Sequence, residues 1–561
     1  MSKPLLLRLL FPILERRAKK TLRAFMEATK RPAEVQRKTL LEKVRRNRNS
    51  KFGQDHSFSK IRTVDDFRRS VELDDYQHFH QYIDRVKEGD MSALFGPSEK
   101  LIMFSMTSGT TGAPKYIPVT TTFAEEYKRS SLIWAAFAYL DHKGMVDHKL
   151  LPVVSSMRES YTRRGVPCGA MSGFHAQTQH FVGRSMYAVP TCVFDIAEPD
   201  ARYYTLMRIA AGRSVSFVST PNPSTIITIA RTLDTHREQV IKDVHDGRLS
   251  DAFDVARDIR FAIRLHLRPN PRRARELEEI VSRTGRLYPK DIWPDLALIA
   301  SWKGGPLVSY LPMYQQYYGD APVRDLGLIA SEGRMSIPHR DEGAGGILEI
   351  QGTFFEFIPE GEENAPNPST LLCHELEEGK RYFIVLTTSA GLYRYNIYDL
   401  VEVVGSYNAT PIIAFLNKGK HISSVTGEKI TESQVTQAVM AVAAELGVLV
   451  ETFQVSPTWD EAPYYSIYVE DGALRDGVRK DFLKAVERNL RALNIEYDSK
   501  RKSGRLGHMA LKFVERGTFD AMRAEHVKKR GRAEQYKHPF LVPDVDHAKR
   551  LRVLSEVAAE E

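Results

Sequence analysis

The sequence is poor in cysteine and has no long apolar run. Its three cysteines, Cys168, Cys192 and Cys373, include no Cys-x-x-Cys pair and no spacing typical of metal ligands. This excludes a disulfide framework and a zinc site and favours a reducing compartment, so we expect a cytoplasmic protein. The apolar stretch at 5–14 contains Arg8 and is shorter than the roughly 20 residues of a membrane span. We expect an amphipathic helix without stable membrane insertion, with contact to a membrane surface as the alternative.

The sequence also lacks a strong charge bias. It has 80 Lys and Arg residues against 71 Asp and Glu, a net charge of +9 over 561 residues. The basic residues form short clusters, such as Arg45, Arg46 and Arg48, and no zinc-finger, helix-turn-helix or RNP pattern is present, so we expect no nucleic-acid partner. The hydrophobic fraction of 42% is ordinary for a globular protein, and the length predicts two or more domains.

The order of apolar and periodic segments predicts an α/β fold. Apolar runs at 150–154, 214–218 and 296–300 are separated by helical stretches, which is typical of a largely parallel sheet covered on both faces. Between 347 and 415 the hydrophobic period changes to two, with turns between the runs. This change predicts an antiparallel, β-barrel-like subdomain.

A hinge-like segment, Asn-Lys-Gly-Lys at 417–420, follows this subdomain. Beyond it, predicted helices and strands form a separate small α+β unit. We therefore predict a large N-terminal domain at 1–416, with mostly parallel sheets flanked by helices plus the barrel-like subdomain. The residues at 417–561 are predicted to form a small, mobile C-terminal domain.

The most informative segment follows a predicted strand at 101–105 and reads Thr-Ser-Gly-Thr-Thr-Gly-Ala-Pro-Lys. Its backbone amides and hydroxyls can converge on phosphate oxygens, and its lysine adds a mobile positive charge. The spacing differs from a P-loop, and Tyr116 follows the lysine, which argues against a Walker-type NTPase. An ordinary surface turn is the alternative.

A helix is predicted to begin after the loop, because Thr122 and Glu125 form the pattern of a capped helix start. The predicted nucleotide-binding residues of the loop are Thr107, Ser108, Gly109, Thr110, Thr111 and Lys115.

This loop is similar to the signature of the acyl-adenylate-forming superfamily, Ser/Thr-Ser-Gly-Thr-Thr-Gly-x-Pro-Lys. Further segments are Ser-Trp-Lys-Gly-Gly-Pro at 301–306, Tyr-Leu-Pro-Met-Tyr at 310–314, Ala-Ser-Glu at 330–332 and Gly-Leu-Tyr-Arg-Tyr-Asn-Ile-Tyr-Asp at 391–399. In order and spacing they resemble the Gretchen Hagen family of auxin-responsive acyl-acid amido synthetases. With the basic region at 34–50 and Glu-Gln-Tyr-Lys-His-Pro at 534–539, the resemblance spans nearly the whole chain.

The resemblance implies an ATP-dependent ligase that requires Mg²⁺. Such an enzyme activates a carboxylic acid as acyl-AMP, releases pyrophosphate and transfers the acyl group to an amine, which we expect to be an amino acid. Two alternatives stay open, an acyl-CoA ligase that uses the same adenylate and a non-catalytic nucleotide-binding module. The acid, the amine and the oligomeric state do not follow from the sequence.

Two carboxylates are candidates for the nucleotide site. Ser331 and Glu332 follow an apolar run at a predicted strand end, where Glu332 can hold Mg²⁺ that bridges triphosphate oxygens. Ser331 is a predicted nucleotide-binding residue, and Glu332 is a predicted catalytic residue as well as the metal ligand. Asp399 can accept hydrogen bonds from both ribose hydroxyls. The alternatives are a solvated Glu332 and a turn-capping Asp399. Tyr407 can pack beside the nucleotide or fill the strand surface, and Lys418 in the hinge is a further predicted nucleotide-binding residue.

Lys537 is the predicted catalytic lysine. Pro539 forces His538 out of helical geometry, which predicts an exposed loop around Lys537. The resemblance implies that the Lys537 ammonium stabilises charge on the α-phosphate during adenylate formation. A solvated surface lysine is the alternative.

The acid-binding pocket is predicted from a segment of small and aromatic residues at 161–175, which resembles the acyl-binding stretch of the family. Such side chains suit a planar or apolar acid, although a core segment is the alternative. His175 need not act as a base, because a carboxylic acid is already ionised at neutral pH. The predicted substrate-binding residues are Met171, Ser172, Phe174, Val308, Tyr310 and Met313.

Overall fold

The chain is described from a computed structural model. The residues that the structure describes are 5–107, 115–304, 311–363, 365, 367–418, 422, 423, 425, 428, 430–460, 462–502, 506–530 and 536–558. These residues form two compact units. The first unit comprises Met1–Gly304, Leu311–Ile397 and Val401–Phe415, and the second comprises Tyr398–Leu400 and Leu416–Glu561.

Helices and short strands alternate through the first unit. Its helices are α1 Leu5–Ala28, α2 Pro32–Arg46, α3 Lys51–Asp55, α4 Val64–Ser70, α5 Tyr76–Lys87, α6 Thr121–Asp141, α7 Met171–Gln177, α8 Phe181–Ser185, α9 Pro199–Ala211, α10 Pro223–Thr235, α11 Arg237–Asp246, α12 Arg257–Ile263, α13 Pro271–Thr284, α14 Pro289–Ile292 and α15 Leu311–Tyr318. Its strands are β1 Leu101–Thr107, β2 Lys115–Thr120, β3 Lys149–Pro152, β4 Ser160–Tyr161, β5 Pro167–Gly169, β6 Val215–Ser219, β7 Leu298–Ala300, β8 Val323–Arg324, β9 Ile329–Ala330, β10 Gly333–Arg334, β11 Ser336–Ile337, β12 Gly346–Leu348, β13 Phe354–Pro359, β14 Leu371–Leu372, β15 Arg381–Thr387, β16 Tyr395–Tyr407 and β17 Thr410–Lys418.

The predicted parallel sheet is present. Strands β3, β6, β7 and β8 are adjacent in that order, and all their pairings are parallel. Four successive residues of β6 are buried, as expected for a strand covered on both faces. The three apolar runs of the sequence therefore form neighbouring strands of one sheet.

The segment around the predicted phosphate loop differs from the sequence prediction. The strand after the loop, β2, pairs antiparallel with β1 in a four-stranded sheet of order β2-β1-β5-β4. Pro118 lies in this strand, and an edge position tolerates its missing backbone donor. The helix that follows is capped by Thr120, whose hydroxyl accepts from the Phe123 N–H at 3.3 Å, so the predicted cap at Thr122 is wrong. Thr122 Oγ1 donates to Glu99 Oε1 instead.

The predicted antiparallel subdomain is a seven-stranded sheet of order β11-β12-β17-β16-β15-β13-β14. Its β13 and β15 pair antiparallel over six residue pairs, from Phe354–Thr387 to Pro359–Tyr382. Residues of this sheet contribute to a hydrophobic core that also contains residues of α2, α5 and β1. The core thus joins the sheet to the strand that leads into the predicted phosphate loop.

The second unit is an α+β structure with a four-stranded sheet. The strands are adjacent in the order β20 (Phe453–Thr458), β21 (Tyr464–Glu470), β22 (Ala510–Val514) and β23 (Val553–Ala558), and among them only β21 and β22 pair in parallel. The strand β23 has no counterpart among the predicted elements, because its apolar residues come in adjacent pairs rather than in the alternation typical of a half-buried strand. The elements of this unit are β18 Ile422–Ser423, β19 Ile430–Thr431, α16 Glu432–Glu445, β20 Phe453–Thr458, β21 Tyr464–Glu470, α17 Arg479–Leu493, α18 Ile495–Lys502, β22 Ala510–Val514, α19 Thr518–Arg530 and β23 Val553–Ala558.

Among the described residues, no helix is both long and apolar enough to cross a membrane.

Candidate active site

The two ends of the predicted phosphate loop are held side by side. Thr107 ends β1 and Lys115 begins β2, and these two residues are directly paired. The two residues that flank the loop are therefore neighbours in an antiparallel pair of strands. The predicted residues Ser108, Gly109, Thr110 and Thr111, and the side chain of Thr107, lie outside the described residues.

The predicted metal ligand lies at the tip of a hairpin beside this sheet. Strands β9 and β10 pair antiparallel, and the two residues that connect them are Ser331 and Glu332. Ser105 Oγ, on β1, donates to Ser331 Oγ at 2.7 Å. The structure therefore places the tip of this hairpin against the strand that leads into the phosphate loop.

A chain of hydrogen bonds joins three of the predicted motifs. Lys115 Nζ donates to Tyr395 Oη at 3.4 Å, and Tyr395 Oη donates to Glu332 Oε1 at 3.3 Å. Glu332 is only 5% exposed and Tyr395 only 1%. A lysine and a carboxylate are thus linked through one phenol in a largely buried setting, where charge interactions are stronger than in water.

Tyr76 is a site residue that the sequence analysis missed. Its hydroxyl accepts from the Tyr116 N–H at 2.8 Å and donates to the Tyr116 carbonyl at 3.2 Å. Lys115 Nζ lies 5.3 Å from the centre of the Tyr76 ring and 5.9 Å from that of Tyr395. Burial raises the pKa of Tyr76, and the carboxylates of Asp84 and Glu332 add to the increase. Tyr76 therefore holds the backbone next to Lys115 and presents an aromatic face to its ammonium.

The Gly-Leu-Tyr-Arg-Tyr-Asn-Ile-Tyr-Asp segment at 391–399 has a strained backbone. Arg394 and Tyr398 have φ values of 47° and 58°, in the left-handed region that non-glycine residues rarely adopt. Arg394 Nε donates to buried Glu356 Oε2 at 2.9 Å, and Arg68 Nε donates to Glu356 Oε1 at the same distance. This shared carboxylate holds Arg394 in place, so the arginine of the motif has a structural partner.

The other predicted nucleotide-binding residues have different environments. Asp399 is 3% exposed and lies in the part of β16 that groups with the second unit. Tyr407 packs edge-on against His339 and Phe137, with ring centres 5.2 and 6.3 Å apart, in a core cluster that does not contain Tyr395. Lys418 ends β17, and its side chain lies outside the described residues. The contacts of Tyr407 are those of a core side chain.

The predicted acid-binding segment at 161–175 contains β5 and the first five residues of α7. Met171 and Phe174 are buried in the same core cluster as β1, and Ser172 Oγ accepts from the Ser155 N–H at 3.4 Å. Burial lowers the pKa of His175 to about 4, and the charges of Arg334 and Lys128 add to the decrease. His175 is therefore neutral near pH 7. Of the remaining residues, Met313 is buried on α15, and Val308 and Tyr310 lie outside the described residues.

Lys537 is exposed between two buried neighbours in the second unit. His538 Nε2 donates to the Phe453 carbonyl at 2.9 Å, and Tyr536 lies edge-on to His526, with ring centres 5.2 Å apart. Burial lowers the pKa of His538 to about 4 and raises that of Tyr536 to about 12. The predicted exposure of Lys537 is therefore present, and its segment is anchored on both sides rather than being a loose loop.

Comparison with known proteins identifies the family of the chain. The chain matches the GH3 family N-terminal domain over residues 21–323, the central domain over 346–418 and the C-terminal domain over 433–546. It is 27% identical to the jasmonoyl–L-amino acid synthetase JAR6 of Nicotiana attenuata, with 96% of both chains covered. It is 26% identical to the indole-3-acetic acid-amido synthetase GH3.15 of Arabidopsis thaliana, with 87% of both covered.

The fold agrees with this similarity. The solved structure of the AtGH3.15 acyl acid amido synthetase in complex with 2,4-DB matches with a TM-score of 0.84 at 22% sequence identity, covering 98% of each chain. The fold and the motifs define an acid–amine ligase of the acyl-adenylate-forming superfamily. The chain belongs to the GH3 family and is an acyl acid amido synthetase. The predicted family, fold class and enzyme class are confirmed.

Proposed function

We propose that this chain uses ATP and Mg²⁺ to convert an apolar or planar carboxylic acid to acyl-AMP, and then joins the acyl group to an amino acid. The observation that carries the proposal is the set of contacts at Ser105, Lys115 and Glu332. They join segments that are distant in the chain, since Ser105 and Ser331 are separated by 226 positions, Lys115 and Tyr395 by 280, and Tyr395 and Glu332 by 63. These segments are the ones that the family motifs single out for phosphate and metal.

The side chains around Glu332 fit a magnesium ion. A buried carboxylate next to a serine hydroxyl offers oxygen ligands, which Mg²⁺ prefers. Among the described residues there is no cluster of three His, Cys, Asp or Glu side chains that can hold a metal. This suits an ion that takes most of its ligands from phosphate oxygens and water. When bound, the ion screens phosphate charge, and Lys115 adds positive charge from β2.

We assign the remaining nucleotide contacts as follows. Thr107, Ser108, Gly109, Thr110 and Thr111 bind phosphate with Lys115, and Asp399 accepts from the ribose hydroxyls. Lys418 contributes from the end of β17. For Tyr407 the contacts with His339 and Phe137 support a packing role, so the nucleotide-stacking role has no support from its surroundings.

The acid is bound beside α7 in this proposal. Met171 and Phe174 supply apolar surface, and the neutral His175 adds no charge. Because the acid is ionised at neutral pH, its carboxylate attacks the α-phosphate without a general base. The relatives are named for jasmonoyl and indole-3-acetic acid conjugation, and we infer an acid of similar apolar character here.

Lys537 has its role in the first half-reaction. Charge builds up on the α-phosphate when the carboxylate attacks, and an ammonium at that point stabilises the transition state. In the second half-reaction the amine attacks the acyl carbon and AMP leaves. We propose that the second unit then moves so that Lys537 is withdrawn, as in other enzymes with mobile domains. The three cysteines are free thiols, which supports the cytoplasm as the site of action.

The test is a pyrophosphate-release screen with a panel of carboxylic acids. Each acid that gives release is combined with each amino acid and with coenzyme A, and products are identified by mass. We expect acid-dependent release and an amide product with an amino acid. Release followed only by a coenzyme A thioester contradicts the proposal.

A matched pair of variants tests the metal site. Glu332→Gln should raise the Mg²⁺ concentration required for pyrophosphate release, whereas Glu342→Gln, an exposed carboxylate, should not. Asp399→Ala should weaken AMP binding, which Glu332→Gln should leave largely intact because AMP has no triphosphate. If Asp399→Ala and Glu332→Gln lose AMP binding equally and the Mg²⁺ dependence of Glu332→Gln is unchanged, Glu332 is not the metal ligand.

A further inference from the structure

A groove separate from the candidate active site runs along the outer face of α2. It has a volume of about 870 Å³ and is lined by residues between 34 and 49 on one side and between 58 and 62 on the other. The 15 residues of α2 extend for about 22 Å at the usual helical rise. Residues proposed above for ATP, the acid or the amine are absent from this lining.

Three arginines along this groove carry uncompensated charge. Arg37, Arg45 and Arg48 are exposed lining residues, and among the described residues no carboxylate lies within 4.0 Å of any of them. The two lining carboxylates are already paired, since Glu34 lies 3.3 Å from Arg31 and Glu42 lies 4.0 Å from Lys38. A row of positive charge therefore follows one wall of the groove.

The floor of the groove is apolar and belongs to the main core. Val44, Phe58 and Ile61 are 2%, 2% and 3% exposed, and Leu41 is partly buried against the same cluster. Side chains in such a core are closely packed and hold their shape. The groove thus combines a fixed apolar floor with a positively charged rim, the composition of a preformed binding surface.

We propose that this groove binds an acidic segment of a partner protein in an extended conformation. A chain of about six or seven residues at 3.3 Å per residue spans the length of α2. Alternate side chains of such a segment meet Leu41 on the floor and the arginines on the rim. A small anion needs only one or two of these arginines, and a lipid surface is too flat to enter a groove, so the length and shape favour a peptide.

The experiment uses a fluorescein-labelled peptide of roughly seven residues with alternating Glu and Leu. We expect saturable binding to the full chain by fluorescence anisotropy. The triple variant Arg37→Glu, Arg45→Glu, Arg48→Glu should weaken binding on the order of tenfold or more. A matched control with the same change of charge, Arg16→Glu, Arg17→Glu, Arg23→Glu, reverses exposed arginines of α1 and should bind normally. Both variants should keep the thermal unfolding midpoint and the amide-forming activity of the parent.

A substitution in the apolar floor of the groove gives a second test of the proposal. Leu41→Gln should weaken the Glu/Leu peptide more than a peptide of Glu alone, because only the former uses the apolar floor. The proposal is wrong if the parent chain does not bind the probe, or if the α1 control loses as much affinity as the triple variant of the groove. It is also wrong if Glu-only peptide binds as well as the Glu/Leu peptide. The proposal is also wrong if single-stranded RNA or phosphatidylserine vesicles bind to the chain more strongly than the peptide does. In that case the nucleic acid or the lipid surface is the occupant of the groove.

Discussion

Lys115 in the first unit and Lys537 in the second are both proposed to meet phosphate, but the chain holds them differently. Lys115 begins an edge strand, is partly buried and donates to Tyr395 between two aromatic rings. Lys537 is exposed, and its position is set by buried neighbours on both sides. The first lysine is oriented through its own side chain, and the second is presented by the backbone that carries it.

This difference matches the proposed division of labour. A lysine fixed by its own contacts is preorganised for phosphate at every stage of the reaction. An exposed lysine on an anchored segment can be brought in and withdrawn as its unit moves, while its local geometry stays unchanged. Four experiments separate these two arrangements, taken from the largest expected effect to the smallest.

Removal of Lys537 should have the largest effect, and only on one half-reaction. Lys537→Ala should lower acid-dependent pyrophosphate exchange on the order of 10² to 10³, as for other preorganised transition-state donors. Supplied acyl-AMP and amine should still give amide at a rate near that of the parent, because Lys537 is withdrawn at that step. Both half-reactions are followed separately with the same protein sample.

The control for this variant is Lys528→Ala, which removes another exposed lysine of the second unit. It should leave both half-reactions unchanged. If Lys537→Ala keeps normal pyrophosphate exchange, Lys537 is a surface residue without a catalytic role. If the variant loses the same factor in rate in both half-reactions, Lys537 has a general structural role.

Acid should destabilise the segment that presents Lys537. Burial lowers the pKa of His538 from 6.5 to about 4, so below pH 6.5 the unfolded chain binds a proton that the folded unit excludes. The second unit should therefore lose stability as the pH falls from 6.5 to 4, by roughly 3 kcal/mol in total. His538→Gln should flatten this dependence. Thermal unfolding midpoints between these pH values, with limited proteolysis to identify the unit, give the measurement.

His175 is the matched residue in the first unit, since burial also lowers its pKa to about 4. His175→Gln should flatten the acid dependence of the first unit and leave that of the second. If neither substitution changes its own unit, other groups cause the loss of stability in acid.

Removal of Lys115 should affect ATP more than the fold. Lys115→Ala should raise the KM for ATP roughly ten- to a hundredfold, the range for loss of a hydrogen bond to a charged group. The unfolding midpoint should change little because the side chain is only partly buried. Lys143→Ala, an exposed lysine elsewhere in the unit, is the control. If a folded Lys115→Ala protein has an unchanged KM for ATP, Lys115 does not bind phosphate.

The smallest effect should come from the phenol that links Lys115 to Glu332. Tyr395→Phe removes only the hydroxyl, so kcat/KM for ATP should fall about fivefold, equivalent to one hydrogen bond of about 1 kcal/mol. Tyr407→Phe, on the same strand, should have no effect. Combining Tyr395→Phe with Lys115→Ala should add little to Lys115→Ala alone, and full additivity would show that the two side chains act independently.

Much of the fold and several features of the candidate site follow from local patterns in the sequence. The parallel strands β3, β6 and β7 were predicted because each is a short apolar run between helical stretches. The phosphate loop was predicted because glycines, hydroxyls and a lysine are adjacent in the chain. The exposure of Lys537 was predicted from Pro539, whose effect on the preceding residue is local.

The tertiary structure alone decided how these patterns meet. Tyr395 and Lys115 are in contact although 280 positions separate them in the chain, and Tyr76 and Tyr116 are 40 positions apart. Hydrophobic periodicity in the sequence predicts neither contact. The strand β2 was hidden by Pro118, which only an edge position tolerates. Tyr407 was predicted beside the nucleotide from its residue type, and its packing partners became visible only in the fold. Local propensity depends on neighbours in the chain, whereas a site depends on distant residues that packing brings together.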